Sequence, residues 1–106
     1  MTQPQYKVSR NANSNDSEHQ LIQTPAASMR LWDNEQPAET ADKQPKTNDY
    51  DTLGYVIEGQ VELILGGQTL TLQAGDSYHV PKGVEHTYRV TETLTAVEVT
   101  VPGNKS

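Results

Sequence analysis

The chain has no cysteine and no phenylalanine, only three histidines, and six aromatic residues in all, one Trp and five Tyr. Without cysteine there are no disulfides and no thiolate metal sites. Basic residues are also scarce: 8 Lys and Arg stand against 14 Asp and Glu, a formal net charge of -6. That balance opposes binding to a phosphate backbone or to an anionic membrane surface. So few aromatics make a poor stacking platform for single-stranded nucleic acid. No apolar run approaches the ~20 residues needed to span a bilayer. No basic arm precedes an apolar stretch at the start, so no signal peptide is expected. The cytoplasm is the simplest compartment, and a small molecule, with no nucleic acid and no membrane, is the expected partner. The 106 residues suit one domain able to bury its own core.

The two halves differ in character. Residues 1–20 form a polar leader: "SRNANSNDSEHQ", Ser9 to Gln20, has no hydrophobic period and too little apolar surface to offset its ordering entropy. Residues 21–106 are expected to form a single domain. In "HQLIQTPAASMRLW", His19 to Trp32, Leu21 with Ile22 and Met29 with Leu31 each suit a short edge strand. "DNEQPAETADKQPKTNDYD", residues 33–51, carries two prolines and scattered charge, and reads as a long loop of the kind that often bears function.

From Leu53 the text turns to strands. "LGYVIEG" is ended by Glu58-Gly59. "VELIL" and "QTLTL" are joined by Gly66-Gly67, a hairpin signal. "SYHV" stops at Pro81-Lys82-Gly83, and "VEHTYRV" and "LTAVEVTV" follow. Alternation places Leu70 with Leu72, and Val97, Val99 and Val101 opposite Ala96, Glu98 and Thr100. Short strands punctuated by glycine turns predict an all-β antiparallel sandwich or barrel, and no segment holds a helical period.

One stretch carries more. In "GDSYHVPKGVEH" the spacing is Gly75, five residues, Pro81, one residue, Gly83, two residues, His86. This resembles the second motif of the cupin superfamily, and the likeness extends over about residues 50–101. The motif usually closes with Asn four residues after the His, where this chain has Val90. The resemblance implies a small antiparallel jelly-roll β-barrel, commonly a homodimer, with His86 facing the barrel interior. Alternation puts His86, Tyr88 and Val90 on one face.

Metal-binding cupins also carry a first motif with two histidines and a glutamate. Counting back from Gly59, the Glu position is Thr52, and the His positions are Lys46 and Asn48, or Pro45 and Thr47 with the longer spacing. None is a histidine or a glutamate. Divalent transition metals need several converging imidazoles or carboxylates. His86 alone is one ligand, and an ammonium at Lys46 would repel a cation. Asp49 and Asp51 are the available substitutes, but Asp51 lies one residue out of register. No cofactor is assigned. A divalent metal is disfavoured, and His86 is its one candidate ligand if a metal binds. The favoured expectation is a metal-free pocket in which Lys46, Asn48, Thr52, His86 and Tyr88 bind a small polar or anionic ligand. The alternative is an enzyme. It would be either a metal-dependent oxygenase or isomerase with a non-standard ligand set, or an acid–base catalyst through His86, imidazole being the usual side chain for proton transfer. A third reading is an interaction protein whose site has decayed.

Other residues read more plainly. His19 is expected in solvent and His79 as a packed or surface side chain. Tyr55, Tyr78 and Tyr88 are read as core or barrel-mouth residues. Trp32 is read as a barrel cap or an interface anchor. Arg30 and Arg89 are read as surface charges, and Glu58 and Glu62 as solvated residues flanking a hairpin turn.

Overall fold

The computed structural model describes residues 6–9, 18–37 and 45–102. Most of the leader, and residues 38–44 of the long loop, lie outside the described residues. Every named element is a strand: β1 (Glu18–Gln23), β2 (Ser28–Glu35), β3 (Asp51–Leu65), β4 (Gln68–Gln73), β5 (Ser77–Val80) and β6 (His86–Val101). No helix among the described residues is long and apolar enough to cross a membrane.

All pairings are antiparallel. The order is β1-β2-β6-β3-β4, with β5 also on β3. The frame is the ladder between β3 and β6, which runs from Asp51↔Val101 to Leu65↔His86. The free edge of β3 is shared: β5 pairs with its first part, Thr52 to Tyr55, and β4 with its second, Gln60 to Leu65. Long strands that pass between two layers are how a jelly roll turns its corners. The apolar patch at Leu21 lies on an edge strand as expected. The one at Met29 does not, because β2 sits between β1 and β6.

One turn expected within the chain is not a turn. Glu58-Gly59 does not end a strand, and Glu58 and Glu62 do not flank a hairpin. Both lie inside β3, where the register with β6 shifts between Val56 and Val61. Between the pairs Val56↔Ala96 and Val61↔Val90, four residues of β3 (57–60) oppose five of β6 (91–95). A mismatch of one residue reverses which residues of β3 face inward. Thr52, Gly54 and Val56 are buried before the bulge, and Val61 and Leu63 after it. On β6 the inward set keeps its parity: His86, Val90, Leu94, Ala96, Glu98 and Thr100 are all buried. Gly59 makes the bulge sterically feasible. Its φ is 91°, and a Cβ there would lie 2.0 Å from the Thr93 carbonyl oxygen. Gly66 and Gly67, at φ 55° and 77°, form the tight β3–β4 turn.

The hydrophobic core is Val56, Val61, Leu63, Leu72, Val80, Val90, Leu94 and Ala96, with Leu65, Tyr78 and Tyr88 packed against it. At one end of the sheet the usual polarity is reversed. Leu53, Tyr55 and Ile57 on the first part of β3 point outward and are about half exposed, so Tyr55 is not a core residue. Thr52, Glu98, Thr100 and Ser28 point inward and are buried.

Gly59→Ala is expected to lose roughly 2–4 kcal/mol of unfolding free energy, because a left-handed conformation and a backbone clash coincide at one residue. Urea denaturation of the variant against the parent chain measures this.

Candidate functional site

The inward polar residues meet at Glu98, whose neighbours follow from strand register. Gln20, Arg30, Glu98, Gly54 and Tyr78 are successive partners across β1, β2, β6, β3 and β5. The Tyr78 ring crosses the backbone of Gly54, where a Cβ would sit 2.0 Å from the ring. The missing side chain lets a phenol on β5 reach over β3 to a carboxylate on β6.

Glu98 is only 2% exposed. A buried carboxylate persists only when its oxygens are paired. Here four donors converge on it. Oε1 accepts from Arg30 Nε at 2.9 Å and Trp32 Nε1 at 3.1 Å. Oε2 accepts from the Tyr78 hydroxyl at 2.5 Å and the Tyr88 hydroxyl at 3.3 Å. Burial, and next the Glu98 charge, push both tyrosine pKa values well above the ordinary phenol range, so both hydroxyls keep their protons and donate. Burial alone would lower the Arg30 pKa, but the Glu98 charge and hydrogen bond outweigh it and the net shift is upward. Arg30 is therefore an ion-pair partner and not the surface charge expected, because β2 lies inside the sheet with this residue on its inward side. Its guanidinium also lies 5.6 Å from the centre of the Trp32 ring. Arg89, by contrast, is exposed, 4.0 Å from Glu62.

A cavity of about 30 Å³ adjoins the cluster, lined by Trp32, Glu35, Val61, Tyr78, Tyr88, Val90, Leu94 and Glu98. On the usual measure it holds on the order of two waters, or a ligand of a few heavy atoms. Trp32, expected as a cap or an anchor, contributes to this wall.

Of the residues singled out from the sequence, Tyr88 lines this cavity. His86 is 2% exposed; its Nδ1–H donates to the Val84 carbonyl at 3.0 Å, and its ring packs edge-on against Tyr88. His86 also borders a larger depression of about 250 Å³ beside the Gly66-Gly67 turn, with Pro45, Leu65 and Val84 among its walls. Lys46 is exposed and joins His86 through two backbone hydrogen bonds of 2.9 Å. The Asn48 carbonyl accepts from Gly83 N–H. Thr52 is buried in the row with Thr100 and Val80, at the opposite end of the β3–β6 ladder from His86. Neither cavity takes in Lys46, Asn48 or Thr52. His19 is not in solvent: it is 7% exposed, since β1 reaches back to Glu18, and its Nε2 lies 3.9 Å from Asp33.

A metal fits this donor set poorly. Among the described residues no three His, Asp or Glu side chains group to hold an ion. Asp51, the nearest substitute ligand in the sequence, is engaged elsewhere. It accepts from Lys82 N–H at 3.0 Å and sits 3.2 Å from His79 Nε2, fastening the Pro81–Gly83 turn to β3.

Sequence reasoning passed over Glu98, Glu35 and the inward role of Arg30. A signal for Glu98 was present: it has the parity of His86, provided residues 86–101 are one strand.

Comparison with known proteins agrees with this architecture. The family model "Cupin domain" matches residues 35–102, so the chain belongs to that family. Curated protein sequences yield no match. Among solved structures, an RmlC-like cupin from Shewanella frigidimarina superposes with a TM-score of 0.75 at 18% identity, over 99% of this chain and 97% of the other. KdgF from a Halomonas species gives 0.74 at 18% identity, over 95% and 96%. A protein provisionally assigned to ethanolamine utilization, from Salmonella typhimurium, gives 0.63 at 26% identity, over 82% and 69%.

Arg30→Met and Glu98→Gln are each expected to cost about 3 kcal/mol, since either leaves a buried partner uncompensated. The double variant should lose at least about 1 kcal/mol less than the sum, and additive losses in denaturant titrations would show the pair to be uncoupled. The backbone N–H of Lys82, then His79, lowers the pKa of Asp51 from its ordinary 3.8. A depressed carboxylate stabilises the fold above its unfolded-state pKa, and that support is lost as pH falls through the folded value. Asp51→Asn should therefore melt below the parent at pH about 6, with the gap closing as the pH falls below 3.8.

Proposed function

We propose that this chain is a metal-independent cupin that binds a small hydrogen-bonding molecule inside the barrel, against Glu98. The observation that carries the reading is the reversed polarity at one end of the sheet. Thr52, Thr100 and Ser28 are turned inward there together with Glu98, where packing alone would favour the apolar set, and of these four Glu98 reaches the wall of a cavity. Glu98 accepts hydrogen bonds, so a hydroxyl or amine suits it and an anion does not. The ligand's donor is placed at Oε2, where the Tyr88 contact is the longest of the four at 3.3 Å. The cavity's size favours a compound of a few heavy atoms. Ethanolamine, in whose utilization one structural relative is provisionally placed, is of that size. The role is binding; turnover is not assigned.

The test is thermal denaturation against a panel of short diols, polyols, amino alcohols and carboxylates. A donor-bearing compound at about 100 times its Kd should add roughly 2.7 kcal/mol, a rise on the order of ten degrees. The rise should vanish in Glu98→Gln and in Val90→Met, which fills the cavity without touching the carboxylate. No rise with any compound, or one that survives Val90→Met, would discard the reading.

A further inference from the structure

On the outward side of the reversed end, apolar side chains stand in rows across the strands. Met29, Val99 and Leu53 are successive partners on β2, β6 and β3, and Leu31, Val97 and Tyr55 form the next row. The rows end on β5 at Ser77 and at His79, which Asp51 engages at 3.2 Å. Val101 and Ile57 extend the set along their strands, and Leu53, Tyr55, Ile57 and Val101 are 40–50% exposed. Val97 and Val99 face out because they alternate with Glu98, which faces in. Past the bulge the outward side differs, carrying Thr71, Glu62 and Arg89 in one row. We propose that the apolar outward face is where a second copy of this chain docks, sheet against sheet, about a two-fold axis, whatever the cavity holds.

The area of the face comes first. Strands β2, β6, β3 and β5, about 4.8 Å apart, and the run Asp51 to Ile57, rising about 3.3 Å per residue, span on the order of 450 Å² in projection. An exposed apolar patch of that size marks an interaction site. The rest of this sequence is too polar to cover it. Residues 1–5, 10–17, 38–44 and 103–106, outside the described ones, hold Met1 as their one large apolar side chain. A second copy meets the need. Packed sheets lie about 10 Å apart with their strands nearly aligned, at an angle set by the twist of each. An identical sheet brings the same twist and the same apolar rows, and a two-fold axis lets each face cover the other. With its polar rim, the contact approaches the roughly 800 Å² per partner of a stable dimer.

Analytical ultracentrifugation of the full chain, from about 1 to about 100 μM, is the test. The sedimenting mass should be that of two chains. Tyr55→Lys combined with Val99→Lys places two charges within the face and should weaken association at least about a hundredfold. Thr71→Lys, on the polar part of the outward side, should leave association unchanged. A single-chain mass at about 100 μM would overturn the proposal and leave the face to an unlike protein. A dimer that survives the paired lysines, or one lost equally in Thr71→Lys, would overturn it too, by placing the contact elsewhere. Circular dichroism reports whether the paired variant keeps its strands. Should it not, Leu53→Ser decides in its place, since it removes exposed apolar area without adding charge and should weaken association several-fold. None of the altered residues lines the Glu98 cavity, so the result bears on the face alone.

Discussion

A buried charge organises this molecule. The Glu98 carboxylate has left water almost entirely, and an uncompensated loss of hydration on that scale would cost more than a domain's whole stability. The fold compensates with donors from separate strands: Arg30 and Trp32 from β2, Tyr78 from β5, and Tyr88 from β6 itself. Each donor imposes a condition on its own strand. Arg30 has to point inward, so Met29 and Leu31 point out. Tyr78 has to cross β3, so residue 54 must be glycine. Local sequence choices that look arbitrary one at a time are linked through this carboxylate.

Its burial also divides the sheet by task. The second part of β3, with β4 and the first part of β6, packs Val61, Leu63, Leu72 and Val90 in an ordinary way. Each such side chain contributes about 1.5–3 kcal/mol on leaving water. The other end does the reverse: Leu53, Tyr55 and Ile57 stay on the surface while threonines and Glu98 go inside. The bulge at Gly59 separates these arrangements, since it switches the inward parity of β3, while Val56, Val80 and Ala96 carry the apolar core on past it beside the buried polar residues. The Cupin domain match spans both parts.

Much of the fold was legible in the sequence, and the Glu98 cluster was not, for related reasons. The Gly75–His86 spacing pointed to the barrel and put His86 and Tyr88 on the inward face, because a turn with fixed spacing and a period of two are local properties. Glu98 required a longer view. Reading residues 84–90 and 94–101 as separate strands breaks the parity count, and Val97, Val99 and Val101 form the more apolar face. Hydrophobicity would turn that face inward, yet it lies outward. Likewise the apolar look of "LGYVI" conceals that its glycine, not its leucine, faces the interior. Polarity patterns predict burial when the interior is oil. They mislead where it holds a charge, and only the register across five strands shows which case applies.

Glu98 is also nearly saturated, and this constrains how it can act. An ionised carboxylate offers roughly four lone-pair sites, and four donors already occupy them. Three of these contacts run from 2.5 to 3.1 Å, while that of Tyr88 is 3.3 Å. A molecule entering the cavity competes most easily with the weakest donor, and Tyr88 is the one whose hydroxyl can turn toward the newcomer. Tyr88 also packs on both Tyr78 and His86. The histidine that first marked the site thus touches Glu98 only through Tyr88, and its part in this cavity is to set where that ring stands.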